Sequence, residues 1–76
     1  IASWDVSKVV NMQKIFYNEG SFNANIAKWD TSAATSMQGM FSLAYLFNQD
    51  LSGWDISKVT TIKNMFESAV AFNQKL

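Results

Sequence analysis

The chain has 76 residues, 49% of them apolar, with six Lys balancing six acidic residues and no Cys, His or Arg. A chain this short has a thin core that disulfides or zinc commonly reinforce, and here neither ligand chemistry is available. Without Arg there is no guanidinium fork for phosphate, and no basic stripe marks a nucleic-acid footprint. No wholly apolar run approaches the ~20 residues that span a bilayer, and no signal peptide is visible.

The strongest signal is a period of 25 residues, carried first by Trp4, Trp29 and Trp54. In the first copy, Trp4-Asp5 is followed by Ser7, the apolar stripe Met12, Ile15 and Phe16, and the pair Phe22-Asn23. The second copy repeats this as Trp29-Asp30, Ser32, the stripe Met37, Met40, Phe41 and Ala44, and Phe47-Asn48. The third gives the clearest pattern. Trp54 and Ile56 alternate with Asp55 and Ser57, which predicts a short half-buried strand over 54–57. Ile62, Met65, Phe66 and Ala69 then follow helical spacing, with Thr60 and Thr61 placed to cap the start. Phe72-Asn73 closes the copy.

A fixed period of this length marks a repeat architecture. The expected fold is an α/β repeat solenoid, leucine-rich-repeat-like, with three coils of roughly 1–25, 26–50 and 51–75. Each coil carries a short parallel strand and a short helix, and at ~4.8 Å per strand the three form a slab only ~15 Å deep. Ile1, Ile26, Leu51 and Leu76 occupy one register position, so both ends look uncapped. Arrays of this kind need polar caps. The segment therefore reads as part of a longer protein.

The Phe-Asn, Trp-Asp and Met-Phe pairs at fixed offsets resemble the ~25-residue repeat of BspA-like leucine-rich-repeat surface proteins, the Mycoplasma-lipoprotein type. The resemblance covers essentially the whole chain. It implies a secreted or cell-surface setting and an adhesion or interaction role, with no catalytic residues to carry over.

Asp5, Asp30 and Asp55, with Ser7, Ser32 and Ser57, would form a polar strand face if the copies stack. The local reading is that each carboxylate accepts N–H bonds from the turn at its serine. A cation ladder is the sharper alternative, but no dense calcium loop accompanies these acids. Asn23, Asn48 and Asn73 suggest an internal amide ladder. The tryptophans favour core burial over a carbohydrate-stacking platform, and the methionines favour packing.

Positions that break the repeat are more informative for function. Leu43, Tyr45 and Leu46 make the second copy's loop unusually apolar, either filling a void or forming a partner-binding patch. In the first copy the same region holds Tyr17, Asn18, Glu19 and Gly20, where Glu19 replaces the small Ala44 and Ala69, so that the helix is expected to end early or to turn its last residue outward. Ala33-Ala34 replace Lys58-Val59 and should thin the core locally. Tyr17 joins Leu43, Tyr45 and Leu46 as a candidate binding residue.

An enzyme is not expected, because no nucleophile has a base of known type beside it, and neither a cofactor nor a metal site is expected. The leading expectation is a non-catalytic interaction module whose partner is a protein or a surface glycan. The alternative is a structural spacer, or a subunit packed within a larger assembly.

Overall fold

Identical segments that adopt one conformation can set each backbone donor beside the acceptor of its counterpart, and the chain uses this throughout. The structure, a computed structural model, describes residues 1–74. The N–H groups of Met12, Lys14, Phe16 and Asn18 donate to the carbonyls of Ser36, Gln38, Met40 and Ser42 at 2.8–3.0 Å. One period on, Met37, Gly39, Phe41 and Leu43 donate to Thr61, Lys63, Met65 and Glu67 at 2.8–3.1 Å. Thr35 and Thr60 donate in the opposite sense, to Val10 O and Thr35 O, both at 2.8 Å. Three passes of the chain are therefore laid in parallel, one upon another.

This arrangement overturns the α/β leucine-rich-repeat-like solenoid that the periodicity suggested. No helix is present among the described residues. Parallel pairing shrinks to single bridges, Asn11 to Ser36 and Ser36 to Thr61. These bridges fall where the helix caps were expected, while among the described residues the expected strand over 54–57 forms no bridge and its backbone accepts only the Thr31 hydroxyl, at Asp55 O, from a neighbouring pass. In its place Val59 N–H donates to Ile56 O at 3.0 Å, closing a turn. The molecule is a compact body, 27 × 24 × 20 Å, built mostly of turns and loops.

The helix fails for a backbone reason. An α-helix requires each N–H to bond four residues back, whereas here alternate N–H groups leave the pass for its neighbour. Lys14 and Asn18, Gly39 and Leu43, and Asn64 and Ser68 all take positive φ, between 58° and 64°. A left-handed residue every fourth position reverses the curl before a helical turn can propagate, at a cost of about 1–2 kcal/mol per ordinary residue. The bonds between passes and the apolar contacts beneath them offset that cost. The i, i+3, i+4 spacing is real, but it reports a succession of four-residue turns, such as Met65 N–H to Ile62 O and Ala69 N–H to Phe66 O, both 3.0 Å.

The core consists of columns of like residues. Phe16, Phe41 and Phe66 stack with centroids 5.6 and 5.5 Å apart, and Phe22, Phe47 and Phe72 with spacings of 5.7 and 5.9 Å. Within each pass the two phenylalanines face one another at 4.0–4.2 Å. Met12, Met37 and Met40 are fully buried beside them, and Met65 nearly so. Ala34 and Ala44 lie in the same core, while Glu19 keeps the turn of its counterparts, donating to Phe16 O at 3.2 Å, with its side chain outside.

Trp29 and Trp54 are core residues, stacked at 6.3 Å and nearly parallel. Each indole also donates to the previous pass, Trp29 Nε1 to Ile1 O at 3.3 Å and Trp54 Nε1 to Ile26 O at 3.0 Å. Trp4 departs from the core expectation. It is 57% exposed, with no earlier pass stacked beside it among the described residues.

Candidate interaction site

The Asp-Ser positions lie in turns rather than on a strand face, which corrects the expected strand but leaves a column of carboxylates. Asp5 Oδ1 accepts the Ser7 N–H at 3.0 Å and the Ser7 hydroxyl at 2.6 Å, and Asp30 holds Ser32 with the same distances. Asp55 accepts the Ser57 N–H at 2.9 Å. Asp50, which the period does not single out, makes the same turn with Ser52 N–H at 2.9 Å, and Asn25 does so with Ala27 N–H at 3.0 Å. The geometry is that of a local side-chain turn. Among the described residues, no group of three or more acidic side chains gathers to hold a metal ion.

Serine hydroxyl and backbone donors hold the Asp5, Asp30 and Asp55 carboxyls below the ordinary aspartate value of 3.8. At Asp50 the backbone donor is the larger influence. Asp55 and Asp5 oppose the shift at Asp30, as expected of neighbours in a column of like charge. A carboxylate so stabilised is a weaker base, so the Asp-Ser pairs are poorly suited to activating a hydroxyl. A folded-state pKa below the unfolded one gives stability that is complete above 3.8 and is lost as pH falls through the folded values. The melting temperature should therefore be flat from neutral pH down to about 5 and decline below 3.8. In a Ser7→Ala, Ser32→Ala, Ser57→Ala variant, thermal melts should show a shallower acid decline. An equally steep decline would assign the acid response to other groups.

The asparagine ladder exists, but on the surface rather than inside. Asn23 Oδ1 accepts the Asn48 N–H at 2.8 Å, and Asn48 Oδ1 accepts the Asn73 N–H at 3.0 Å. Gln49 and Gln74 reinforce it, each with Nε2 3.0 Å from the preceding Asn Oδ1. The ladder ties the passes together.

The repeat-breaking residues divide between two places. Tyr17, 44% exposed, lies in a polar groove of about 220 Å³ lined also by Lys14, Gln38, Ser42, Asn64 and Glu67. Gly39 makes room there. Its φ is +64°, and a β-carbon on it would lie 3.2 Å from Lys14 Cγ, so glycine lets the lysine stem cross without shifting and bring Nζ 5.2 Å from the Tyr17 ring centroid.

Leu43, Tyr45 and Leu46 do not line that groove. Leu43 is half-buried with φ 63°, an unusual conformation for a branched side chain. Tyr45 and Leu46 are 46% and 57% exposed. The Tyr45 ring leans over Gly20, where a β-carbon would approach Cδ2 to 3.2 Å. Val70 occupies the register position of Tyr45 on the next pass and is 79% exposed. The period alone places Val70 beside Tyr45, and a lone valine carries no further signal in the sequence.

A family model described as "Mycoplasma protein of unknown function, DUF285" matches residues 1–76. No curated protein and no solved structure shows significant similarity to the chain. No helix among the described residues is long and apolar enough to cross a membrane.

Proposed function

The chain belongs to the DUF285 family, and from that premise we propose that it is a non-catalytic interaction module of a secreted or cell-surface protein, acting in adhesion to a protein or surface glycan. The observation that carries this reading is the exposed ridge of Tyr45, Leu46 and Val70. The stacked core does not use these side chains, and Tyr45 and Leu46 break the repeat at positions where Gly20 and Ser21 serve the first pass. An amphipathic tyrosine beside aliphatic groups suits a contact patch that loses water when a partner docks. The surface setting rests on the resemblance to BspA-like surface repeats.

The Asp-Ser pairs are not built as catalytic machinery. They recur in every pass, their carboxylates are weakened as bases, and they serve to close turns. The alternative is a structural spacer, or a subunit packed within a larger assembly.

The test is binding of the purified chain to a panel of extracellular-matrix proteins and surface glycans, compared with a Tyr45→Ser, Leu46→Ser variant. Both side chains are exposed, so the variant should fold normally and lose at least about tenfold in affinity, or 1.4 kcal/mol. Unchanged affinity would remove the ridge from the binding surface. A chain that binds nothing on the panel would favour the spacer.

A further inference from the structure

We propose that the polar groove at Tyr17 is a binding site for one neutral sugar residue, held by side chains from three successive passes and by the tyrosine ring. The site is separate from the ridge of Tyr45, Leu46 and Val70, and it lies on the flank of the stack. Its floor is the central pass, where Gly39 and Ser42 are buried and Gln38 is half-buried. Lys14 and Tyr17 of the first pass form one wall, and Asn64 and Glu67 of the third form the other, all four exposed. A pass flanks the floor on either side, so the hollow is made by the two internal junctions.

Two register positions create it. Lys14, Gly39 and Asn64 share one, and Tyr17, Ser42 and Glu67 share the other. At both, the central pass carries the smallest side chain between longer ones, which opens a depression in its middle. The core column beneath keeps one residue type, Phe16, Phe41 and Phe66, whereas these two positions change in every pass. The backbone under the depression is fixed on both sides. Lys14 N–H bonds Gln38 O at 3.0 Å, and Gly39 N–H bonds Lys63 O at 2.9 Å. The groove is therefore preformed, as small-molecule sites usually are.

The chemistry of the walls selects the ligand. The Asp and Asn side chains of the turns and the ladder are spent on protein donors. In the groove, among the described residues, no protein hydrogen bond engages the Gln38 and Asn64 amides, the Ser42 hydroxyl or the Glu67 carboxylate. Amides offer both donors and acceptors and a carboxylate accepts twice, a set that matches adjacent sugar hydroxyls. The Tyr17 ring adds apolar surface for sugar C–H groups. One ammonium and one carboxylate cancel, and Lys14 Nζ is partly engaged 5.2 Å from the Tyr17 centroid, so the groove has no bias toward phosphate or sulfate. A zwitterionic amino acid would answer the two charges but leave both amides and the ring unused. At about 220 Å³ the groove is smaller than the roughly 300–1,000 Å³ pockets of drug-sized ligands. It suits a single sugar residue, with its open side free for the rest of a glycan.

Titration followed by amide NMR tests this, with glucose, galactose, mannose and N-acetylglucosamine as probes and glycine as the zwitterion control. At least one sugar should shift the Gly39, Ser42 and Glu67 amide signals saturably in the millimolar range. Tyr17→Ala and Asn64→Gly should each weaken that binding by about tenfold or more. Glycine accepts the positive φ of 58° at position 64, and unchanged core signals from Met37 and Phe41 report that each variant is folded. No saturable shift at these amides with any of the four sugars overturns the proposal, as does sugar binding that survives both substitutions. Shifts with glycine alone would make the groove a zwitterion site and overturn it equally. The Tyr45→Ser, Leu46→Ser variant should bind the sugar as wild type does, so failure of the ridge and failure of the groove are separately readable.

Discussion

Replacing Trp29 by Ala is expected to cost about 3–5 kcal/mol, a large share of the ~5–15 kcal/mol that holds a small domain folded. The side chain is 4% exposed, stacked on Trp54 and tilted against Phe16 at 5.7 Å. Truncation opens a cavity between the first and second passes and removes the indole donor from Ile1 O. Trp4→Ala supplies an internal control, being the same change at the same register position. Trp4 is more than half exposed and has no pass to lie on, so its loss should cost at most about 0.5–1 kcal/mol in dilute solution. Urea unfolding of both variants at micromolar concentration checks the contrast. If the two midpoints coincide, the tryptophan column does not hold the passes together.

The period was legible in the sequence because stacking makes it so. A residue that must lie on its own counterpart is constrained to a repeated type, and the Phe, Trp and Asn columns all carry that constraint. The local conformation was not legible, and Ile62, Met65, Phe66 and Ala69 show why. Apolar spacing records which side chains point inward. A run of four-residue turns with left-handed residues at Asn64 and Ser68 places Met65, Phe66 and Ala69 inward as well as a helix does, while Ile62 stays exposed. Gly39, Asn18 and Asn64 are residue types that favour the left-handed region, whereas Lys14, Leu43 and Ser68 adopt it because the neighbouring pass fixes it, a tertiary cause with no local sequence signature.

The same limit applied to the candidate site. Tyr17, Leu43, Tyr45 and Leu46 were visible as departures from the repeat, but whether they share a surface depends on which way each pass curls. Tyr17 falls into the polar groove and Tyr45 with Leu46 onto a separate ridge. The Asp-Ser turns were readable because their bonds span only two residues, so no tertiary information was needed.

Phe41→Ala should be as damaging as the loss of Trp29, for a different reason. Phe41 is completely buried on the central pass, with Phe16 at 5.6 Å on one side, Phe66 at 5.5 Å on the other and Phe47 at 4.1 Å within its own pass. Trp54 leans on it at 6.2 Å. Its removal interrupts the column at the one place where both neighbouring passes depend on it. Burial and cavity terms for Phe→Ala amount to about 3–5 kcal/mol, and each stacked pair adds roughly 0.5–1.5 kcal/mol beyond area. At about 4–8 °C per kcal/mol for a domain of this size, the melting temperature should fall by roughly 15 °C or more. Phe66→Ala removes the same side chain from a half-buried position with no following pass in this chain, and should cost about half as much. Calorimetric melts of the two variants decide the matter: equal losses would mean that the phenylalanine column acts as three independent contacts, whereas a larger loss at Phe41 marks the central pass as the element on which both junctions rest.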